Sequence, residues 1–343
     1  MISDDMLGFV GMNVDGQRWG KEDLFRFLAL GGSRVCVIRD SDECATLIQD
    51  AFPGILLFGR AWWPGDQHGD KYLWRKISPP DWVNWMKTMY PNCRGWYMMN
   101  EPDDWVDDPE AFCAWNIEAA ALAIEAGHEV VGPNFAMWHP DPDKLESLLP
   151  LFNAVVSMPG FYLGLHDYIV RDPNHPQDDW LFDRAQDIVK LVPALKGKII
   201  LTEVGLDWIP QRPNSGPWRK IGVPEKEYAH LIAAASEQWM KSGVIAACVF
   251  LWTQWMGGDS RWRDYSVYGA WEFLTAVSAI KYKPQDDPVE PPPTPPTPPP
   301  DEVLENIAYA YARMNAIHAS LDQISKAVDD VLSTLSGTMD LYD

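Results

Sequence analysis

The chain alternates between short apolar runs and longer segments in which apolar residues recur every three to four positions. The short runs, rich in β-branched and aromatic residues, predict strands, and the longer period predicts amphipathic helices. The predicted strands are residues 7–14, 34–39, 55–61, 95–100, 129–133, 161–166, 198–203 and 246–252. The predicted helices are residues 21–30, 43–51, 80–89, 109–126, 143–152, 180–195, 225–242 and 271–280.

Eight strand–helix units in succession predict the fold class. The strands are apolar almost throughout, which is typical of parallel strands buried on both faces. Gly127, Gly197 and Gly243 follow predicted helices, where a left-handed residue ends a helix. This order favours an α/β fold of the (β/α)₈ (TIM) barrel type. A doubly wound open sheet is the competing topology, but no Rossmann or P-loop glycine motif follows any predicted strand.

The carboxyl ends of the strands build the active site of such barrels, and here those ends are polar. They carry Arg39, Asn100, Glu101, His166, Tyr168, Glu203 and Trp252. An ionised carboxylate at the end of an apolar strand is costly unless it is paired. Each glutamate alone could be a solvated rim residue or the ion-pair partner of Arg39 or Arg60. Two glutamates among these neighbours favour a catalytic site instead.

Glycoside hydrolysis requires such a pair of carboxyl groups. One acid protonates the leaving oxygen, and a second carboxylate attacks the anomeric carbon or activates water. Arg39 or Tyr168 beside Glu203 would stabilise its anion, while Glu101 in a tryptophan-lined pocket could keep its proton. The sequence therefore predicts Glu101 as acid/base and Glu203 as nucleophile.

The chain also resembles clan A of the glycoside hydrolases, which includes family 5 cellulases and mannanases. The resemblance rests on Asn-Glu-Pro at 100–102 and Thr-Glu-Val-Gly at 202–205, together with Arg39, His166-x-Tyr168 and Trp252, and it covers roughly residues 5–282. It implies a retaining mechanism through a covalent glycosyl-enzyme, with no metal or organic cofactor. No single family within the clan is assigned.

Further roles follow from that resemblance alone. Asn100 would contact the sugar 2-hydroxyl, and Arg39 and Tyr168 would hydrogen-bond the nucleophile. His166 would orient the sugar at the cleavage site, and Trp252 would lie beneath it.

Tryptophan is unusually abundant, with 18 residues in 343. Several follow predicted strands, where aromatic faces could stack on sugar rings, although large aromatics also pack under loops. Trp62, Trp208 and Trp252 are the candidate sugar contacts. Several such contacts would form subsites along a groove, in keeping with an endo-acting β-glycanase.

The net charge and the cysteine content limit which binding partners and metal sites are expected. The formal net charge of −21 disfavours nucleic acid and anionic membranes. The five cysteines form no CxxC pair and indicate reduced core residues rather than a zinc site. No apolar run is long enough to cross a bilayer, and the first residues do not resemble a secretory signal. Location is therefore left open between the cytoplasm and a surface or virion assembly.

A proline-rich segment divides the chain into a catalytic domain, 1–283, a linker, 284–300, and a C-terminal helix, 301–343. The linker contains PPPTPPTPPP, which favours an extended polyproline spacer. Apolar residues then alternate at spacings of four and three over 301–336, as in a coiled coil. The pattern predicts a homo-oligomer, a trimer or tetramer, with docking on the barrel or another protein as the alternative.

Two other functions remain open from the sequence. A catalytically silent barrel could serve as a glycan-binding or structural module of an oligomeric surface or virion assembly. An inverting hydrolase would place the carboxyl groups more than about 6.5 Å apart.

Overall fold

Eight parallel strands form a closed barrel in the computed structural model. The model describes residues 8–31, 33–61, 73–102, 105–137, 139–170, 180–181, 183–207, 217–254 and 264–283. The strands are β1 (Val10–Asp15), β2 (Val35–Arg39), β3 (Leu56–Arg60), β4 (Gly95–Tyr97), β5 (Glu129–Phe135), β6 (Phe161–Val170), β7 (Trp180–Leu181), β8 (Ile199–Asp207) and β9 (Val244–Trp252). Strand β7 is a short antiparallel addition to β6 and is not one of the barrel strands.

The pairing order closes the sheet. Strands β1 to β6 pair in sequence, β6 pairs with β8, β8 with β9, and β9 returns to β1. All of these pairs are parallel. The predicted (β/α)₈ barrel is confirmed, and a doubly wound open sheet is excluded because the sheet has no free edge between β1 and β9.

Helices connect the strands on the outside of the barrel. They are α1 (Lys21–Gly31), α2 (Asp42–Ala51), α3 (Leu73–Lys76), α4 (Pro79–Met89), α5 (Pro109–Glu125), α6 (Leu149–Ser157), α7 (Arg184–Leu191), α8 (Glu225–Lys241) and α9 (Trp271–Ser278). None of the helices in the described ranges is long and apolar enough to span a lipid bilayer.

Two predicted helices are interrupted, and proline explains both. The predicted helix 143–152 is a 3-10 helix, Pro142–Leu148, followed by α6, because Pro150 has no N–H to continue one ladder. The predicted helix 180–195 begins instead as β7. It continues as α7, which Asp183 caps, and Pro193 starts a separate 3-10 turn.

Two apolar layers stabilise the barrel. The larger lies between the strands and the helices, and the smaller fills the lower interior with side chains such as Val37, Phe58, Val131, Ile200 and Cys248. All five cysteines are buried free thiols, as predicted. The predicted linker and C-terminal helix lie outside the described residues, so the domain division remains a prediction.

Candidate active site

A bulge in β8 turns Glu203 into the barrel. Leu201 is paired with Leu165 of β6, but the next pair joins Glu203 to His166, so Thr202 is an extra residue with no opposite residue in the β6 register. The apolar residues Leu201 and Val204 face the outer core, whereas Ile200 lies in the inner one. A bulge of this kind redirects side chains and is frequent next to active sites.

Two neighbours hold the Glu203 carboxylate. Arg60 at the end of β3 donates from Nη1 to Oε1 at 2.8 Å, and the Tyr168 hydroxyl donates to Oε2 at 3.0 Å. The Glu203 side chain is 9% exposed, and that of Arg60 is 3% exposed. Glu203 is therefore half of a buried ion pair, and its side chain keeps a small exposed fraction.

His166 and Tyr168 reach the same site because they lie two residues apart on β6, and alternate strand residues share a face. His166 Nδ1 lies 3.2 Å from Glu101 Oε1 and 3.6 Å from Glu203 Oε2. Asp167 between them points outward and accepts a hydrogen bond from Trp239 of α8. The structure thus brings His166 next to both glutamates and Tyr168 next to Glu203.

Glu101 follows β4 with a backbone that few non-glycine residues adopt. Its φ is 45°, in the left-handed region, and its N–H donates to the Asn134 carbonyl at 2.8 Å. Its side chain is 33% exposed, far more than that of Glu203. Strained backbone of this kind occurs often at functional sites.

Asn100 and His166 are joined by a residue that the sequence analysis missed. The Tyr97 hydroxyl donates to Asn100 Oδ1 at 2.7 Å and lies 3.2 Å from His166 Nε2. Since that hydroxyl has one hydrogen, His166 Nε2 must be the donor in this arrangement. For the contact between His166 Nδ1 and Glu101 Oε1 to be a hydrogen bond, one of these two atoms must carry a hydrogen.

The two carboxylates lie close enough to act on one bond. One polar atom from each of Glu101, His166 and Glu203 lies within 4.8 Å of the others. Such a cluster could also hold a metal ion. However, the Arg60 guanidinium already occupies one Glu203 oxygen, and its positive charge would repel a second cation there.

Arg39 makes no hydrogen bond to Glu203 in the structure, although the resemblance implies one. Among the described residues no side chain accepts a hydrogen bond from its guanidinium, and Arg60 pairs with Glu203 instead. Arg39 lies beside Arg60 in the β2–β3 register and over the Phe250 ring. Burial and the Arg60 charge lower the pKa of Arg39. Arg60 can take the place expected for Arg39 because the two arginines end neighbouring strands.

Trp252 lies on the other side of the barrel wall from the site. It is fully buried, packs against Phe27 and Tyr268, and donates through Nε1 to the carbonyl of Trp19. No face of its ring is open to a sugar in this structure. Phe250, two residues earlier, packs with Tyr168. Trp62 and Trp208 lie outside the described residues.

Arg60, Tyr97 and Phe250, to which the sequence assigned no catalytic role, had weak sequence signals. Arg60 ends the third strand as Arg39 ends the second, but the sequence gives no reason to prefer one over the other. Tyr97 and Phe250 lie inside apolar runs, where an aromatic residue usually indicates core packing.

No family model matches the chain, and no curated protein sequence matches it. Solved structures with similar folds include an endo-β-1,3-glucanase of family GH128 from Amycolatopsis mediterranei, with 12% identity, a TM-score of 0.44, and coverage of 80% of this chain and 99% of that one. A family 5 xyloglucanase from Paenibacillus pabuli gives 11% identity, a TM-score of 0.48, and coverage of 82% and 99%.

Not every similar structure is a glycosidase. A candidate aldo-keto reductase from Pseudomonas aeruginosa gives 13% identity, a TM-score of 0.43, and coverage of 82% and 99%. At this identity a likeness reports the barrel and not the activity. Several of the similar structures are glycoside hydrolases, and the resemblance to clan A continues to rest on the sequence motifs, with no family assigned.

Proposed function

We propose that the protein is a retaining glycoside hydrolase that cleaves β-glycosidic bonds of a poly- or oligosaccharide by double displacement. The observation that carries the proposal is that one carboxylate oxygen of Glu101 lies within 4.8 Å of one of Glu203. Retaining enzymes hold their two carboxyl groups about 5–5.5 Å apart, whereas inverting enzymes leave room for a water at about 6.5–9.5 Å.

The surroundings of the two glutamates support different roles. Arg60 and Tyr168 both donate to Glu203, and such bonds favour an anion. Glu101 Oε1 lies 3.2 Å from His166 Nδ1, and the Glu101 side chain is 33% exposed, against 9% for Glu203. Two carboxylates this close disfavour double ionisation. The proton is therefore expected on the Glu101 side and the negative charge on Glu203.

In the first step, Glu203 Oε2 or Oε1 attacks the anomeric carbon while Glu101 gives its proton to the leaving glycosidic oxygen. The bond from carbon to the leaving oxygen breaks as the bond to the carboxylate forms. Tyr168 and Arg60 hold the attacking carboxylate in place before the reaction, which lowers the orientational cost of the step.

In the second step, a water takes the place of the departed sugar, and Glu101, now ionised, removes its proton. The resulting hydroxide attacks the anomeric carbon and releases Glu203. His166 lies within hydrogen-bond distance of Glu101 throughout and can accommodate the change in its charge. Asn100, whose Oδ1 accepts a hydrogen bond from Tyr97, would contact the 2-hydroxyl of the same sugar.

The test is hydrolysis of a panel of β-linked glucans, xylans and mannans by the full chain, with E101Q and E203Q. We expect wild-type turnover on at least one glycan and a loss of about 10²–10⁴-fold in each variant, the range for a lost acid or base. E129Q is the matched control, because Glu129 starts β5 at the far end of the barrel and pairs with Arg94.

Leaving-group chemistry separates the two roles. An aryl β-glycoside has a leaving group that needs little protonation, so E101Q should retain its first step on that substrate while E203Q does not. Equal losses of E101Q and E203Q on aryl and natural substrates would contradict the assignment. No hydrolysis of any glycan by the wild type, with binding retained, would favour the silent glycan-binding module.

A further inference from the structure

We propose that Asn134 and Thr202 are positioning residues that set the distance between the two carboxylates. The inference rests on the proposed function and adds a device beneath the site. Both residues are completely buried. Their hydrogen bonds reach the backbone segments that carry Glu101 on one side and Glu203 on the other.

Asn134 holds the segment that carries Glu101. Its backbone carbonyl accepts the Glu101 N–H at 2.8 Å, and its own N–H donates to the Met99 carbonyl at 3.1 Å. Its side-chain amide donates to the same Met99 carbonyl at 3.0 Å and to the Val131 carbonyl at 3.3 Å. The left-handed backbone of Glu101 is thus fixed by three bonds from a single residue of β5.

The same amide group reaches the bulge that carries Glu203. The Thr202 hydroxyl donates to Asn134 Oδ1 at 2.9 Å, and Asn13 of β1 donates to the Thr202 carbonyl at 3.3 Å. Thr202 is the extra residue of the bulge, so these two bonds hold the peptide that rotates Glu203 inward. Two carbonyls face the amide nitrogen, so a flipped amide would place oxygen against oxygen.

Gly164 makes this connection possible. Strand β6 lies between β5 and β8, and a Cβ built on Gly164 would lie 1.9 Å from Asn134 Oδ1. Any side chain there would displace the amide from Thr202. Hydrogen bonds and one peptide bond therefore connect Glu101, Asn134, Thr202 and Glu203 in sequence, and this connection passes over Gly164.

The test compares T202V with T202S in the full-length enzyme. Valine keeps the shape of threonine and removes the donor, whereas serine keeps the donor. Because a misplacement of about 1 Å can lower a rate by about 10²-fold, we expect T202V to lower kcat by about 10- to 100-fold with KM within about twofold. T202S should stay within about threefold of the wild type in kcat.

A purely structural role would give a different result. If T202V lowered the melting temperature but kept wild-type kcat well below that temperature, the proposal would be wrong. G164A provides a second perturbation that changes neither partner, and it should reproduce the kcat loss of T202V.

Crystal structures of T202V and T202S separate this proposal from the proposed function. We expect the Glu203 carboxylate to move about 1 Å or more relative to Glu101 in T202V only. An unmoved carboxylate overturns the positioning role, even if the wild type is an active glycosidase. A moved carboxylate supports the role of Thr202 in the geometry, even if no glycan is hydrolysed.

Discussion

The carboxyl group of Asp167 should make the stability of the barrel depend on pH. Asp167 is 2% exposed on the outer face of β6, and burial raises its pKa from 3.8 to about 7. Its Oδ2 accepts bonds from Trp239 and from the Asp183 N–H, but its buried Oδ1 has no partner among the described residues. Desolvation therefore outweighs the two bonds.

The sign follows from the protons bound in each state. Between about pH 4 and pH 7 Asp167 is protonated in the folded protein and ionised in the unfolded chain, so folding takes up a proton. The free energy of unfolding must fall as pH rises through this window and level off above about pH 7. Each whole step in pKa corresponds to about 1.4 kcal/mol, so the full effect is at most about 4 kcal/mol. The Asp183 pKa is also raised by burial and adds a slope of the same sign.

The assay is urea unfolding of wild type, D167N and D143N at intervals between pH 4.5 and pH 8. Asparagine keeps an acceptor for Trp239 and removes the ionisation, so D167N should have a shallower slope than the wild type. D143N is the control because the Asp143 side chain is 73% exposed. The comparison uses the slope of the unfolding free energy against pH and not its absolute value. The reason is that the amide nitrogen of the introduced asparagine would lack an acceptor, which lowers stability at every pH. Identical slopes in wild type and D167N would refute the reasoning.

Two further predictions concern other parts of the chain. R60M should lower kcat/KM more than R39M, by about 10-fold or more, because removing Arg60 leaves the buried Glu203 carboxylate without its ion pair; equal losses on the best substrate would restore Arg39 as the partner of the nucleophile. We also propose that residues 301–336 assemble the protein into a trimer or tetramer. Light scattering should detect this oligomer for the full chain but not for a fragment of residues 1–283. A monomeric full chain at micromolar concentration would exclude the oligomer.

The barrel could be predicted because its signals are local and repeated. Each strand is a short apolar run, and each helix carries its own period and end signals, so errors at one element do not affect the next. The errors that did occur, around Pro150 and Pro193, arose because proline divides a segment whose apolar period continues across it.

The glutamates could be predicted because a charged residue beside an apolar strand is conspicuous. Their partners were harder, since the choice between Arg39 and Arg60 depends on how neighbouring strands are staggered, which no single strand encodes. Trp252 shows the same limit. The face of a strand that a residue occupies follows from alternation only while the strand is regular, and the β1–β9 register shifts just before Trp252.

Asn13, Asn134 and Thr202 form a hydrogen-bonded polar layer across the barrel interior. Below it lie aliphatic side chains such as Val37 and Ile200, and above it lie the ionisable groups of the cleft. Tolerance to substitution should therefore differ on the two sides of this layer. Conservative aliphatic substitutions below it should change mainly the melting temperature, whereas equally small substitutions above it should change mainly the turnover rate.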